Sequence, residues 1–379
     1  MSVNSELGNL VRLGDYIEEV VLKLGENNHI EISGINLEHG FIPTVADMTG
    51  IDKSKYKLVP VDCFACNLMH IGRDIKIPIA YNDTGKNIAV SPAYYVFKIR
   101  ENNKNDLLGY YLEILLTRNE FGRLAWFHTD SSIRGNLLTS ELNDIRIPLP
   151  DIDIQQELVD THNGLKALAE QNEALIKPLT EACQAYIVDC KKKYSEVELG
   201  EYIEPSDERN IDNKYTLEDV RGISILKKLI PTKADMMDVS LFLYKILKPL
   251  EFSYVTVTSR NGGKISLAIN DSDQTHLVSS SYEVFKSKNT EELLPKYLYL
   301  SLSREEFDRF SRFNSWGSAR ETFDWSELCR VRIPLPPPEI QQAIVNLYNC
   351  AEEAKNIAAE AREKIKTLCP ALVQRAING

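Results

Sequence analysis

The sequence predicts an α+β protein of two similar globular domains separated by two long antiparallel helices, an internal pseudo-twofold repeat. Three observations predict it. First, ELNDIRIPLPDIDIQQELVD (141–160) returns 186 residues later as ELCRVRIPLPPPEIQQAIVN (327–346), with eleven of twenty positions identical. Second, more of the chain aligns at the same offset or at 188. At 186, VRLGDYIEE (11–19) meets VELGEYIEP (197–205), LLGYYLEILLTRNEFGR (107–123) meets LLPKYLYLSLSREEFDR (293–309), and SSIR (131–134) meets GSAR (317–320). At 188, FIPTVADM (41–48) meets LIPTKADM (229–236), KIPIAYND (76–83) meets KISLAIND (264–271), and VSPAYYVFK (90–98) meets VSSSYEVFK (278–286). Third, each Pro-Leu-Pro run is followed by an apolar heptad pattern. The boundaries that result are 1–150, a domain; 151–193, a central helix; 194–336, a second domain; and 337–379, a C-terminal helix.

Within the first domain, residues 7–21 read as a short helix or strand entry. The runs KLVPVDCFACNL (57–68), KIPIAY (76–81) and NIAVSPAYYVFKI (87–99) are rich in β-branched and aromatic residues and read as strands, with turn chemistry at 82–87. Residues 107–127 have helical spacing, with Leu108, Leu112, Leu115 and Leu116 on one stripe. The Pro-Leu-Pro segment must be extended, because proline fixes φ and biases the residue before it away from the helix. Asp153 and Glu339 then stand where an acid favours a helix N-terminus.

The central helix has apolar steps of three and four at Leu158, Thr161, Leu165, Leu168, Asn172, Leu175, Leu179 and Ala182, the pattern of a coiled-coil seam. Pro178 interrupts it, so a bend is expected near Lys177. In the second domain, residues 264–285 are paired strands around a polar loop, and 293–313 a closing helix. The C-terminal helix repeats the seam through Ile340, Ile344, Leu347, Ala351, Ala354, Ala358, Ala361, Ile365, Leu368 and Leu372. Its middle is alanine where the middle of the first seam is leucine, so antiparallel packing sets large residues against small ones. Such helices span about 40 to 60 Å, enough to hold two domains one turn of B-DNA apart, about 34–36 Å.

Composition is that of an ordinary globular protein, 43% apolar and 26% charged. No apolar run approaches a membrane span and no secretory signal opens the chain. Seven cysteines read as reduced thiols of a cytoplasmic protein. The net charge of −11 sits badly with simple nucleic-acid binding, and no segment is a basic arm. A DNA contact would need positive charge focused by folding, or supplied by partners.

The doubled IPLP…IQQ elbow, the LGDYIEE and LGEYIEP openings, VRGISILKKLIPTKADM (220–236), the VFK strand and the GSAR loop resemble the specificity subunit of type I restriction–modification systems. The resemblance covers nearly the whole chain, and its specificity lies in the doubled architecture. It implies that each globular unit is a target-recognition domain and that the helices form an antiparallel spacer. It further implies double-stranded DNA with a bipartite target as ligand, and methyltransferase subunits, with a restriction and translocase subunit in some complexes, as partners. Pro178 and Pro370 fall at non-equivalent places, so the implied spacer is not perfectly symmetric.

Catalytic motifs were sought. An amino-methyltransferase needs an Asn/Asp-Pro-Pro-aromatic motif and a glycine-rich turn for its methyl donor, and neither occurs. No GxxxxGK[ST] loop is present. The expectation is a non-catalytic subunit with no cofactor. Cys63 and Cys66 lack a second pair and read as a packed strand rather than zinc ligands. His128 and His162 read as surface residues.

The candidate DNA contacts lie in loops. Arg134 and Arg320 occupy equivalent places in Ser/Gly-rich loops before each elbow. There an arginine can bridge phosphate or read guanine bidentately, or else bond the elbow carbonyls structurally. Arg260 and Lys264 flank Asn261-Gly262-Gly263, with Arg73 and Lys76 in the matching place of the first domain. The resemblance makes these loops the reading surface. Without it they are solvated cations. Trp316 beside Arg320 is either a base-step or sugar contact or a core tryptophan. The domains differ most at 29–40 against 213–228 and at 68–76 against 256–264, the segments expected to read different bases. A function of another class is a coiled-coil interaction scaffold without DNA affinity.

Overall fold

The structure, a computed structural model, describes residues 10–25, 30–44, 48, 50–69, 71, 76–130, 135–237, 239–258, 263–317 and 320–378, the last eleven by backbone alone. Contacts divide the chain into two units, Met1–Gln171 with Ile357–Gly379, and Asn172–Asn356. Each unit thus holds one globular domain and half of each long helix.

In the first unit a four-stranded antiparallel sheet runs in the order Ile17–Glu19, Tyr95–Ile99, Cys63–Cys66, Ile79–Tyr81. Three two-stranded pairs surround it: Leu10–Arg12 with Arg146–Pro148, Ser33–Ile35 with Phe41–Pro43, and Lys57–Val59 with Ile88–Val90. The second unit has the same topology. Its sheet runs Ile203–Pro205, Tyr282–Ser287, Phe252–Val255, Leu267–Ile269, and its pairs are Glu196–Glu198 with Arg332–Pro334, Arg221–Ile223 with Leu229–Pro231, and Lys245–Leu247 with His276–Val278. The equivalence extends to side chains. Phe64 stacks on Phe97 at 5.0 Å, and their counterparts Phe252 and Phe285 at 4.9 Å. A buried Asn closes the polar turn in both. Asn82 donates to the Val59 and Lys86 carbonyls, both at 2.9 Å, and Asn270 to those of Leu247 and Gln274 at 3.1 and 2.7 Å.

The helical run expected at 107–127 is two helices, Gly109–Thr117 and Asn119–Phe127, and its counterpart is Pro295–Leu302 and Glu305–Phe313. The break falls at an arginine in extended conformation, Arg118 with ψ 149° and Arg304 with ψ 150°. An acid follows within the first turn of the new helix, Glu120 and Glu305, which complements its N-terminal partial charge.

The repeated elbow owes its sequence to three devices. Tyr111 and Tyr297 donate to the carbonyls of Pro148 and Pro334 at 3.1 and 2.8 Å. The first Gln of each Gln-Gln pair is fully buried and fully bonded. Gln155 donates to Asp106 and Pro150 carbonyls at 2.7 and 2.8 Å and accepts the Leu108 N–H at 3.0 Å. Gln341 does the same with Glu292, Pro336 and Leu294 at 2.8, 2.9 and 3.0 Å. The second Gln bonds one turn on, Gln156 to Asp160 and Gln342 to Asn346, both at 2.8 Å. The glycine of each LG-D/E-Y opening answers to close approach: a Cβ at Gly14 would lie 2.7 Å from Asn143, and one at Gly200 2.9 Å from Cys329.

The long helices are Ile152–Lys193 and Pro338–Asn378. The first does not end at Pro178 but runs through it as an uninterrupted helix. In the second unit the chain enters along 172–193 and leaves along 338–356. Glu196–Glu198 and Arg332–Pro334 pair beside these helix ends, and Cys183 Sγ lies 3.7 Å from the Ile344 carbonyl, so the two half-helices run in opposite senses. Their inner faces complete the domain core through Cys183, Ile187, Cys190, Ile344 and Val345. Leu158 and Val159 do the same in the first unit.

The seam of the central helix differs from the expected one at two positions, Leu168 and Leu175, while Thr161 and Ala182 are half-buried as expected. Leu158 is buried and Leu165, Asn172 and Leu179 are half-buried, as expected, but Leu168 and Leu175 are exposed. The inward partners are His162, Ala169, Ile176 and Cys183, each one residue later. At Leu168 and Leu175 the helix turns the neighbouring apolar residue inward. In the C-terminal helix Ala351, Ala354, Ala358 and Ala361 are all buried, as the pattern predicts, while Ile340 is exposed and Gln341 takes its place.

Candidate nucleic-acid interface

Of the candidate contacts, Arg73, Arg134, Arg260 and Asn261 lie outside the described residues. Lys76, Lys264, Trp316 and Arg320 lie within them. The structure brings the loops that carry these residues together in each domain. In the second, Phe323 N–H donates to the Thr256 carbonyl at 2.8 Å and Thr258 N–H to that of Glu321 at 2.9 Å. The Thr258 hydroxyl donates to Ser315 Oγ at 2.9 Å. The backbone leading into Arg260 is therefore zipped to the backbone around Arg320. In the first domain Leu137 N–H donates to the Leu68 carbonyl at 2.9 Å and Ile71 N–H to that of Gly135 at 3.1 Å. Leu68 and Ile71 thus stand to Gly135 and Leu137 as Thr256 and Thr258 stand to Glu321 and Phe323.

The ends of the loop after Trp316 are held together. Trp316 and Thr322 exchange both backbone hydrogen bonds, at 3.1 and 2.9 Å. Gly317 has φ 140°, and a Cβ there would fall 2.2 Å from the Arg320 carbonyl, so only glycine fits. Trp316 is 62% exposed, which removes the core reading of this side chain. Arg320 is exposed, and among the described residues no hydrogen bond joins its guanidinium to an elbow carbonyl, the structural role weighed for it. Lys264 is exposed at the rim of a concavity of about 490 Å³ that Leu226, Tyr299, Arg304 and Arg309 also line. Lys76 is half-buried. Next to it His39 is held below its ordinary value, chiefly by burial and further by the Lys76 charge.

Comparison with known proteins bears on this arrangement. Residues 191–358 match the model of the type I restriction modification DNA specificity domain. A search of curated proteins finds no match. Among solved structures, the S subunit of a type I restriction-modification system from M. genitalium aligns over 100% of this chain and 98% of its own, at 11% identity and a TM-score of 0.60. At that identity it speaks to the fold alone. The HsdS subunit from Thermoanaerobacter tengcongensis aligns over 98% and 96% at 15% identity, with a TM-score of 0.40. A chain from a study of assembly and conformational transition of the type I R-M system aligns over 99% of both at 14% and 0.44. The matched stretch is the second copy of a unit whose first copy shares its topology, its elbow glutamine and its buried asparagine. Residues 191–358 thus match a type I restriction modification DNA specificity domain, and the whole chain has the fold of a solved S subunit.

Other candidates find structural explanations. Cys63 and Cys66 lie on a buried strand, where burial pushes the Cys63 thiol up to about 11 and Cys66 higher still. Among the described residues no group of three or more His, Cys, Asp or Glu is placed to hold a metal ion, and no helix is long and apolar enough to cross a membrane. His128 and His162 are half-buried rather than surface residues. His128 lies 3.5 Å from Glu141.

Two features escaped the sequence reading. Phe127 and Phe313 end equivalent helices and are 80% and 79% exposed. Their identity at offset 186 was visible, but the matching stretch was taken to stop at Arg123 and Arg309. The second is the buried Lys227–Asp308 pair, which has no counterpart in the first copy, so the repeat could not reveal it.

Proposed function

We propose that this chain is a type I restriction–modification specificity subunit that reads a bipartite duplex target, one half with each domain, and that it directs separate methyltransferase subunits, and a restriction and translocase subunit where one is present, to that site without catalysing a reaction itself. The observation that carries this reading is the duplicated loop pair. Each domain zips the same two variable segments together, beside exposed Lys264 and Arg320 in the second and half-buried Lys76 in the first, and the chain makes the arrangement twice with different residues. Equivalent frames with unlike loop sequences suit two unlike half-sites. The long helices, made once per domain, suit a fixed gap between the halves. The net charge of −11 is what favours the scaffold reading instead. Salt separates the two, because a phosphate-contacting chain loses DNA affinity steeply as salt rises.

The test is selection from randomised duplexes with the full chain and a type I methyltransferase subunit. The expected result is two short motifs at a fixed separation. One uninterrupted motif, or no enrichment, counts against the reading.

A further inference from the structure

We infer that the buried Lys227–Asp308 ion pair is a positioning device for the reading loop of the second domain, and that it sets discrimination at that domain's half-site alone. The inference rests on the proposed reading of duplex DNA and goes on to name residues, distant from the loop tip, that fix its backbone.

Lys227 sits at the turn between Arg221–Ile223 and Leu229–Pro231, in left-handed conformation with φ 59°. Its ammonium lies 2.6 Å from Asp308 Oδ1, with both side chains almost wholly buried. Asp308 belongs to the helix Glu305–Phe313, whose end leads into the Trp316–Arg320 loop. Between the two stands Ile265, the residue after Lys264. Asp308 Oδ1 accepts the Ile265 N–H at 3.1 Å, and Lys227 Nζ donates to the Ile265 carbonyl at 3.2 Å. Both backbone groups of one residue are thus held by the two members of one ion pair. Three elements meet there: the hairpin turn, the exit of the 256–264 loop and the helix before the second loop. The turn is held from outside as well. Tyr299 donates to the Lys227 carbonyl at 3.0 Å, and Lys228 pairs with Glu352 at 3.0 Å.

A buried ion pair is a poor source of net stability, because desolvating two charges costs about what their attraction returns. Its use here is geometric. Ile265 is anchored at both N–H and C=O, so the direction in which the chain leaves Lys264 toward 259–262 is fixed from below. The first domain lacks the device. The position of Lys227 is taken by His39, also left-handed with φ 66°, and that of Asp308 by Gly122, which has no side chain. The asymmetry makes the inference testable inside one molecule.

The experiment uses the full chain with its methyltransferase, in three forms: wild type, Asp308→Asn, and the apolar double variant Lys227→Met with Asp308→Leu. The double variant removes both charges together, so it does not leave one buried alone. Three quantities are measured: relative binding to duplexes carrying each single-base change in either half-site, the melting temperature, and hydrogen exchange at the Ile265 amide. The expected result is a double variant that melts near wild type, exchanges Ile265 faster, and loses about tenfold in discrimination at the second domain's half-site with the other half unchanged. Asp308→Asn should show the same pattern more weakly. Unchanged discrimination in a folded double variant, or equal losses at both halves, overturns the inference. Wild-type chain that selects no two-part site overturns the underlying reading, and this inference with it.

Discussion

Replacing Gln341 by leucine removes the acceptor of the Leu294 N–H and the donors to the Glu292 and Pro336 carbonyls, all in a fully buried site. Leaving such groups unpaired costs about 1–3 kcal/mol each at the outset, and partial relaxation brings the expected loss to about 3 kcal/mol. Urea denaturation of the full chain measures it, and Gln155→Leu should match it through the equivalent bonds. A second residue gives a pH signature. Burial, with a smaller contribution from Asp83, raises the Glu113 carboxyl from 4.5 to about 7. A raised acid contributes stability that is present below its unfolded value and is lost as pH rises through the folded one. Glu113→Gln should therefore leave stability unchanged near pH 4 and raise it at pH 8 by on the order of 1 kcal/mol, allowing for partial solvent screening. Thermal melts across that range check the sign. At this scale the repeat made the elbow legible, since a glutamine and a tyrosine recurring at one offset pointed to a shared duty. The duty itself, three hydrogen bonds to backbone distant in sequence, was not legible, because its partners are main-chain groups that any residue supplies.

Among the elements, the long helices show where pattern reasoning succeeds and where it slips. The alanine stripe of the C-terminal helix was read correctly because small residues at strict heptad spacing have few other uses. The central helix offered two adjacent apolar residues at two steps, and spacing alone did not choose between them: Leu168 and Leu175 face outward while Ala169 and Ile176 turn in. A matched pair of substitutions separates the two seams. Ala354→Leu should overpack a buried position and cost about 1–3 kcal/mol, whereas Leu175→Gln should change stability by less than about 0.5 kcal/mol. Denaturant midpoints decide it. The helix break at Arg118 and Arg304 was missed for a related reason: helical spacing continues across it, and only the extended ψ of one residue marks the join.

Over the whole chain the sequence carried the architecture far better than the reading residues. Duplication is a long-range signal that survives divergence at individual positions. Base contact depends on loop conformation, which has no period. If the zipped loop pair carries specificity, replacing 256–264 by 68–76 should change the second domain's half-site toward the one the first domain selects, with the gap unaltered. Duplex selection with the exchanged chain tests this. The division of the chain has a further consequence, for biosynthesis. The first unit is completed by Ile357–Gly379, where Ala358 and Ala361 lie buried. A ribosome must therefore translate past Ile357 before the domain at 10–150 can finish assembling. A truncated product would leave that domain without its last helical segment, open to proteolysis and to capture by chaperones.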